Sequence, residues 1–141
     1  MTLLRYSDKP QFKFQIEYLN STIQYTNLPI HVLINQALLF EGASVRTREQ
    51  YARSILKIKK LIPIMIYATK DFVLFPTTSK SDNHYMLLNS KHILNIDTFN
   101  TFTEIYFKND ATILIKQNHH MISRKLGESL RLIHHQKMIQ Y

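Results

Sequence analysis

An α+β fold is predicted by this sequence: an antiparallel sheet with two central helices and a C-terminal helix. Three observations carry the prediction. Apolar and polar residues alternate with period two near the start and again through the centre; two helical repeats lie between those stretches; a third fills the tail. At 141 residues a single domain, 1–141, is expected. Chains of this length bury roughly two thirds of their unfolded surface, enough for a core without cross-links. Zero cysteines exclude disulfides, thiolate metal sites and a thiol nucleophile. That usage suits a reducing cytoplasm, the compartment expected for this chain.

Phe12, Phe14, Ile16 and Tyr18, then Ile23 and Tyr25, alternate as strands do, with Leu19-Asn20-Ser21-Thr22 as the turn between them. Pro29 suits the first turn of a helix, where its missing N–H leaves nothing unpaired. Ile30, Leu33, Ile34, Ala37 and Leu38 then form one helical face, and Gly42 closes it. Thr47 and Gln50 have capping-box spacing, so a second helix is expected from there. Tyr51, Ile55 and Ile58 share one face of it, and Pro63 ends it, because the residue before a proline is driven to extended geometry.

Ile64–Tyr67 and Phe72–Phe75 read as a hairpin turning at Thr69–Asp71, and Pro76–Asn83 reads as a surface loop. Further strands are expected at Tyr85–Leu88, Ile93–Ile96, Phe102–Phe107 and Ala111–Ile115, the last two joined by a turn at Lys108–Asp110. From about Gln117 to Met138 helical spacing returns, with Ile122, Leu126, Leu130 and Ile133 as the buried stripe and Gly127 as a point of kinking or close packing.

Charge is unevenly spread. The chain carries 18 Lys+Arg against 10 Asp+Glu, a net +8, and residues 41–80 hold eight basic groups against three acidic ones. Such an excess favours polyanions. A membrane partner is not expected, since no stretch reaches the ~18 apolar residues of a spanning helix and Met1–Pro10 has no signal-peptide core. Arg46, Arg48, Arg53, Lys57, Lys59 and Lys60 cluster on and around the second helix, opposed by Glu41 and Glu49. Cations in that density neutralise phosphates and release counterions, and arginines at a helix mouth suit the deep negative potential of an A·T-rich minor groove. Lys80, Arg124 and Lys125 are candidates to extend the patch. The aromatics Tyr18, Tyr25, Phe72, Phe75, Phe102, Tyr106 and Phe107 follow strand periodicity and fit a core better than a base-stacking platform.

Enzyme signatures are absent: no phosphate-binding glycine loop, no G-x-S-x-G and no H-E-x-x-H. The histidine pairs His119-His120 and His134-His135 cannot converge on one metal, because neighbours on a helix point about 100° apart. No catalytic residue, metal site or cofactor is expected.

Three segments carry a resemblance to a known family. Leu39-Phe40-Glu41-Gly42-Ala43-Ser44-Val45-Arg46, then Lys60-Leu61-Ile62-Pro63-Ile64-Met65-Ile66, then Phe75-Pro76-Thr77-Thr78-Ser79 follow the order seen in the competence transcription factors of the ComK family. Tyr85–Leu88 and His92-Ile93 match its next strand and turn, and Tyr85 stands where a tryptophan is usual. The resemblance implies a DNA-binding activator that recognises paired A·T-rich boxes of double-stranded DNA, largely through the minor groove, as a homo-oligomer under the control of an adaptor-guided protease. With the basic cluster it names Arg46, Arg48, Arg53, Lys57, Lys59, Lys60 and Lys80 as the DNA-binding residues. The alternative is a short paralogue that regulates by protein interaction and titration, with little DNA affinity of its own.

Overall fold

A computed structural model describes residues 1–139. Nine strands form two antiparallel sheets, and three α-helices pack around them. The large sheet has six strands: β1 (Leu3–Tyr6), β2 (Phe14–Glu17), β3 (Ile23–Thr26), β4 (Ile64–Tyr67), β5 (Phe72–Pro76) and β6 (Met86–Asn89), in the order β3-β2-β1-β6-β5-β4. The small sheet is β7 (Ile93–Phe99), β8 (Phe102–Phe107) and β9 (Thr112–Ile115), with β8 in the middle. The helices are α1 (Ile30–Leu38), α2 (Val45–Leu56) and α3 (His119–Ile139). The α+β class is as expected; the division into two sheets is not legible from strand spacing.

β1 is the element that periodicity did not announce. It lies at the centre of the large sheet, paired with β2 on one side and β6 on the other. A central strand is buried on both faces, so alternation disappears. Leu3 joins the cluster with Phe75, Leu88, Ile105, Phe107 and Ile122, whereas Leu4 joins Phe14, Ile16, Leu74 and Leu87 beneath Ile34 and Leu38 of α1. One face of the large sheet is therefore covered by α1 and the other by the small sheet and α3. A third cluster joins Ala52 and Leu56 of α2 to Met65, Val73, Leu132 and Ile133, packing α2 beside the β4 edge.

Both expected ends of α2 move. Helix α2 begins at Val45, three residues before the turn expected from Thr47 and Gln50: Ser44 is the cap, its Oγ accepting from the Thr47 N–H while Thr47 Oγ1 accepts from the Ser44 N–H. It also ends at Leu56, well before Pro63, because Lys57 takes a left-handed backbone (φ 57°) and its N–H donates to the Arg53 carbonyl. In α3 the helix runs unbroken through Gly127, and a methyl group added there meets no atom within 4 Å. Its inner row is Ile122, Lys125, Ser129 and Leu132, while Leu130, expected in the core, is 66% exposed.

Candidate nucleic-acid interface

The 3.6-residue repeat of α2 sorts its charges by face. Ala52 and Leu56 point into the core, so the residues of the opposite row face water: Arg46, Gln50, Arg53 and Lys57 at i, i+4, i+7 and i+11 are all exposed. Arg48 lies on the same row as Ala52 and Leu56. It is half-buried, and its Nε–H has no hydrogen-bond partner among the described residues. A donor left unpaired in that way costs about 1–3 kcal/mol. Of the arginines in the cluster, Arg46 and Arg53 present their charge to solvent, whereas Arg48 holds part of its guanidinium inside.

Beyond α2 the chain turns back toward β4. Lys57 and Leu61 both adopt left-handed backbone, at φ 57° and 51°, and between them Lys59 and Lys60 project as exposed side chains. The turn is fixed from below: Lys125 of α3, 2% exposed, donates from Nζ to the Leu61 carbonyl at 2.7 Å and to Glu128 Oε1 at 2.7 Å. Lys125 is thus a buried clamp and no part of the basic surface, which corrects its expected place beside Arg124.

The loop after β5 completes the arrangement. Pro76 belongs to β5 and is buried, and Thr77 is buried with its N–H donating to the Met86 carbonyl, so the surface loop starts later than expected. Thr78, Ser79 and Lys80 follow. The loop is braced by the Asp82 N–H donating to the Ser79 carbonyl and by Asp82 Oδ1 accepting from the His84 N–H. Together these elements enclose an open cleft. Arg53, Lys59 and Lys80 stand around it with Thr78 and Ser79, over a floor of Ile64, Tyr85 and Leu87. Burial, and then the Glu49 carboxylate, push the Tyr85 hydroxyl above its usual pKa. Glu49 is the one acid at the cleft, and it meets Arg53 at 3.6 Å in a partly exposed pair that contributes at most about 0.5 kcal/mol.

The structure therefore brings Arg53, Lys59 and Lys80 to one cleft, continues them along α2 through Lys57 and Arg46, leaves Lys60 exposed beside the cleft, and turns Arg48 inward. A concave surface with cations and hydroxyls on its walls can bind phosphate oxygens by charge and hydrogen bonding together. No group of His, Asp and Glu among the described residues is arranged to hold a metal ion, and none of the described helices is long and apolar enough to cross a membrane.

The model of the family described as "ComK protein" matches residues 1–138. The chain belongs to the ComK family. ComK proteins are competence-related transcription factors and not a family of enzymes. No curated protein and no solved structure matches this ComK-family chain.

Sequence reasoning missed two features of this region. The clamp of Lys125 on Leu61 joins residues 64 positions apart, and no local pattern announces it. Leu39 and Phe40 stand out in solvent, at 73% and 89% exposure, although their composition reads as core. The signal for Phe40 was present in outline: Ile34 and Leu38 already complete the buried stripe of α1, so the next apolar residues have no place left on it.

Proposed function

We propose that this protein is a sequence-specific DNA-binding regulator of transcription that recognises A·T-rich boxes in duplex DNA, largely through the minor groove. The observation that carries this reading is the convergence of Arg53, Lys59 and Lys80, from three separate segments, on one cleft aligned with the outer row of α2. Lysines and arginines there bind phosphates, and Thr78 and Ser79 add neutral donors. Arg46, at the first turn of α2, is the arginine placed to enter a narrow groove. Paired boxes call for a homo-oligomer, in which each copy presents one such surface; an adaptor-guided protease sets its abundance.

A second reading, regulation by protein interaction and titration, draws on the apolar side chains Leu130, Met138 and Ile139, which α3 leaves exposed at 66%, 64% and 59%. The two separate in one experiment. Fluorescence anisotropy with an A·T-box duplex and a scrambled G·C-rich duplex, across a salt series, is expected to show at least ~100-fold preference for the boxes. Five contacts from Arg46, Arg53, Lys57, Lys59 and Lys80 predict a slope of log affinity against log salt of about −4 to −5. Equal, weak binding to both duplexes sinks the first reading and leaves protein partners as the function of the chain.

A further inference from the structure

Leu39 and Phe40 lie on the single 3-10 turn, Leu39–Glu41, that joins α1 to α2. They are the two most exposed large apolar side chains among the described residues, while Leu38 beside them is fully buried. Holding such side chains in water forgoes roughly 1.5–3 kcal/mol of burial each. The turn that displays them is built firmly. Gly42 adopts φ 63°, which a side chain tolerates poorly, and donates its N–H to the Leu39 carbonyl. The Ala43 N–H donates to the Leu38 carbonyl, and Asn35 Oδ1 accepts from the Val45 N–H at 2.8 Å. A flexible loop would let Phe40 fold back onto α1; this bracing prevents it.

The surroundings identify what meets them. The turn sits at the N-terminal end of the exposed row Arg46, Arg53 and Lys57, and α2 rises about 12 Å from that end to Arg53 at the cleft, or roughly three to four base pairs of duplex. Minor-groove proteins commonly insert an apolar residue between base pairs while flanking cations hold the backbone. We infer that Leu39 and Phe40 form such a wedge, entering the minor groove and partly unstacking one base step while α2 holds the phosphates alongside. This rests on the DNA-binding function proposed above. A second copy of the chain fits the surface less well, because docking two such turns face to face brings two cationic α2 rows together. Glu41, on the same turn, forms no ion pair among the described residues and opposes the approach of phosphate.

Bending of an end-labelled A·T-rich duplex, read by energy transfer, together with anisotropy and sedimentation, tests the wedge in the full chain. Phe40→Ala is expected to keep the fold, since the ring packs on little, to lose ~10-fold or more in affinity and most of the bend, and to leave the salt slope unchanged. Phe40→Leu should restore much of both. Arg46→Ala should do the reverse, flattening the slope by about 1 with the bend retained. Glu41→Gln should tighten binding. A wild-type bend and affinity in Phe40→Ala overturns the wedge and leaves DNA binding standing. Loss of binding that tracks a fall in sedimenting mass also overturns it, and assigns the pair to contact between copies. If the unaltered protein shows no salt-dependent DNA binding, the functional reading fails first and the wedge with it.

Discussion

Helices α2 and α3 lie against each other and both carry dense charge, but α3 also commits an ion pair to the core. On α2 the cations Arg46, Arg53 and Lys57 face solvent, and the only ion pair among the described residues is the loose, partly exposed Glu49–Arg53 contact. On α3 Arg124, Arg131 and Lys137 are exposed, but one pair lies inside: Lys125 and Glu128 are 2% and 6% exposed, bonded to each other, with Ser129 Oγ donating to the Lys125 carbonyl beneath them. A charge at the surface is free to meet a partner and contributes little to stability. A charge in the core is committed to its neighbours, and removing one leaves the other stranded. The two helices are also linked, since Lys125 holds the Leu61 carbonyl and so fixes the turn that carries Lys59 to the cleft.

Breaking the buried side of this comparison should have the largest effect. Lys125→Ala leaves Glu128 and the Leu61 carbonyl without their partner and is expected to destabilise by about 3–5 kcal/mol in urea unfolding. Lys125→Met combined with Glu128→Leu should recover most of that loss. A cost below ~1 kcal/mol for Lys125→Ala instead marks the pair as effectively solvated and erases the contrast. On the exposed side, Arg53→Ala, Lys59→Ala and Lys80→Ala should each flatten the salt slope of DNA binding by about 1 while shifting stability by no more than ~0.5 kcal/mol.

A smaller, stabilising change sharpens the same contrast on α3. Gly127 is exposed, mid-helix and without neighbours for an added methyl, so Gly127→Ala should raise stability by about 1 kcal/mol, read from the urea midpoint.

A pH-dependent effect is expected at His92, which is partly buried with its Nδ1 3.1 Å from Thr2 Oγ1. Burial, and then neighbouring cations including Lys91 and Lys108, pull its pKa down from 6.5 to about 4. Between those values the unfolded chain binds a proton that the folded one does not, so stability is full above pH 6.5 and declines as pH falls toward 4. His92→Asn should flatten that part of the profile, measured as urea midpoints from pH 7 to pH 4.

Most of the fold was legible in the residues. β8 alternates over its whole length, with Thr103, Ile105 and Phe107 buried, and α1 shows its helical stripe openly. The failures cluster where an element is buried on more than one side or is held by a distant partner. β1 lacks alternation because Leu3 and Leu4 serve two different cores. The inner row of α3 departs from the expected stripe because Lys125 and Ser129 are buried with their polar atoms satisfied, within the helix by Glu128 and the Lys125 carbonyl and across the fold by the Leu61 carbonyl. The basic cluster was visible as a run of charge, but its members were not separable: Arg48 and Arg53 differ by five positions and lie on different faces.

The sequence by itself determined the class of fold, the order of nearly all its elements, the basic character of the middle third and the likeness to ComK, since local periodicity and composition depend only on neighbours along the chain. The tertiary structure alone decided which cations share a cleft, which one is buried, and that Phe40 is left outside. Those outcomes depend on contacts between residues far apart in sequence, where burial and pairing set what a charge or an aromatic ring is free to do.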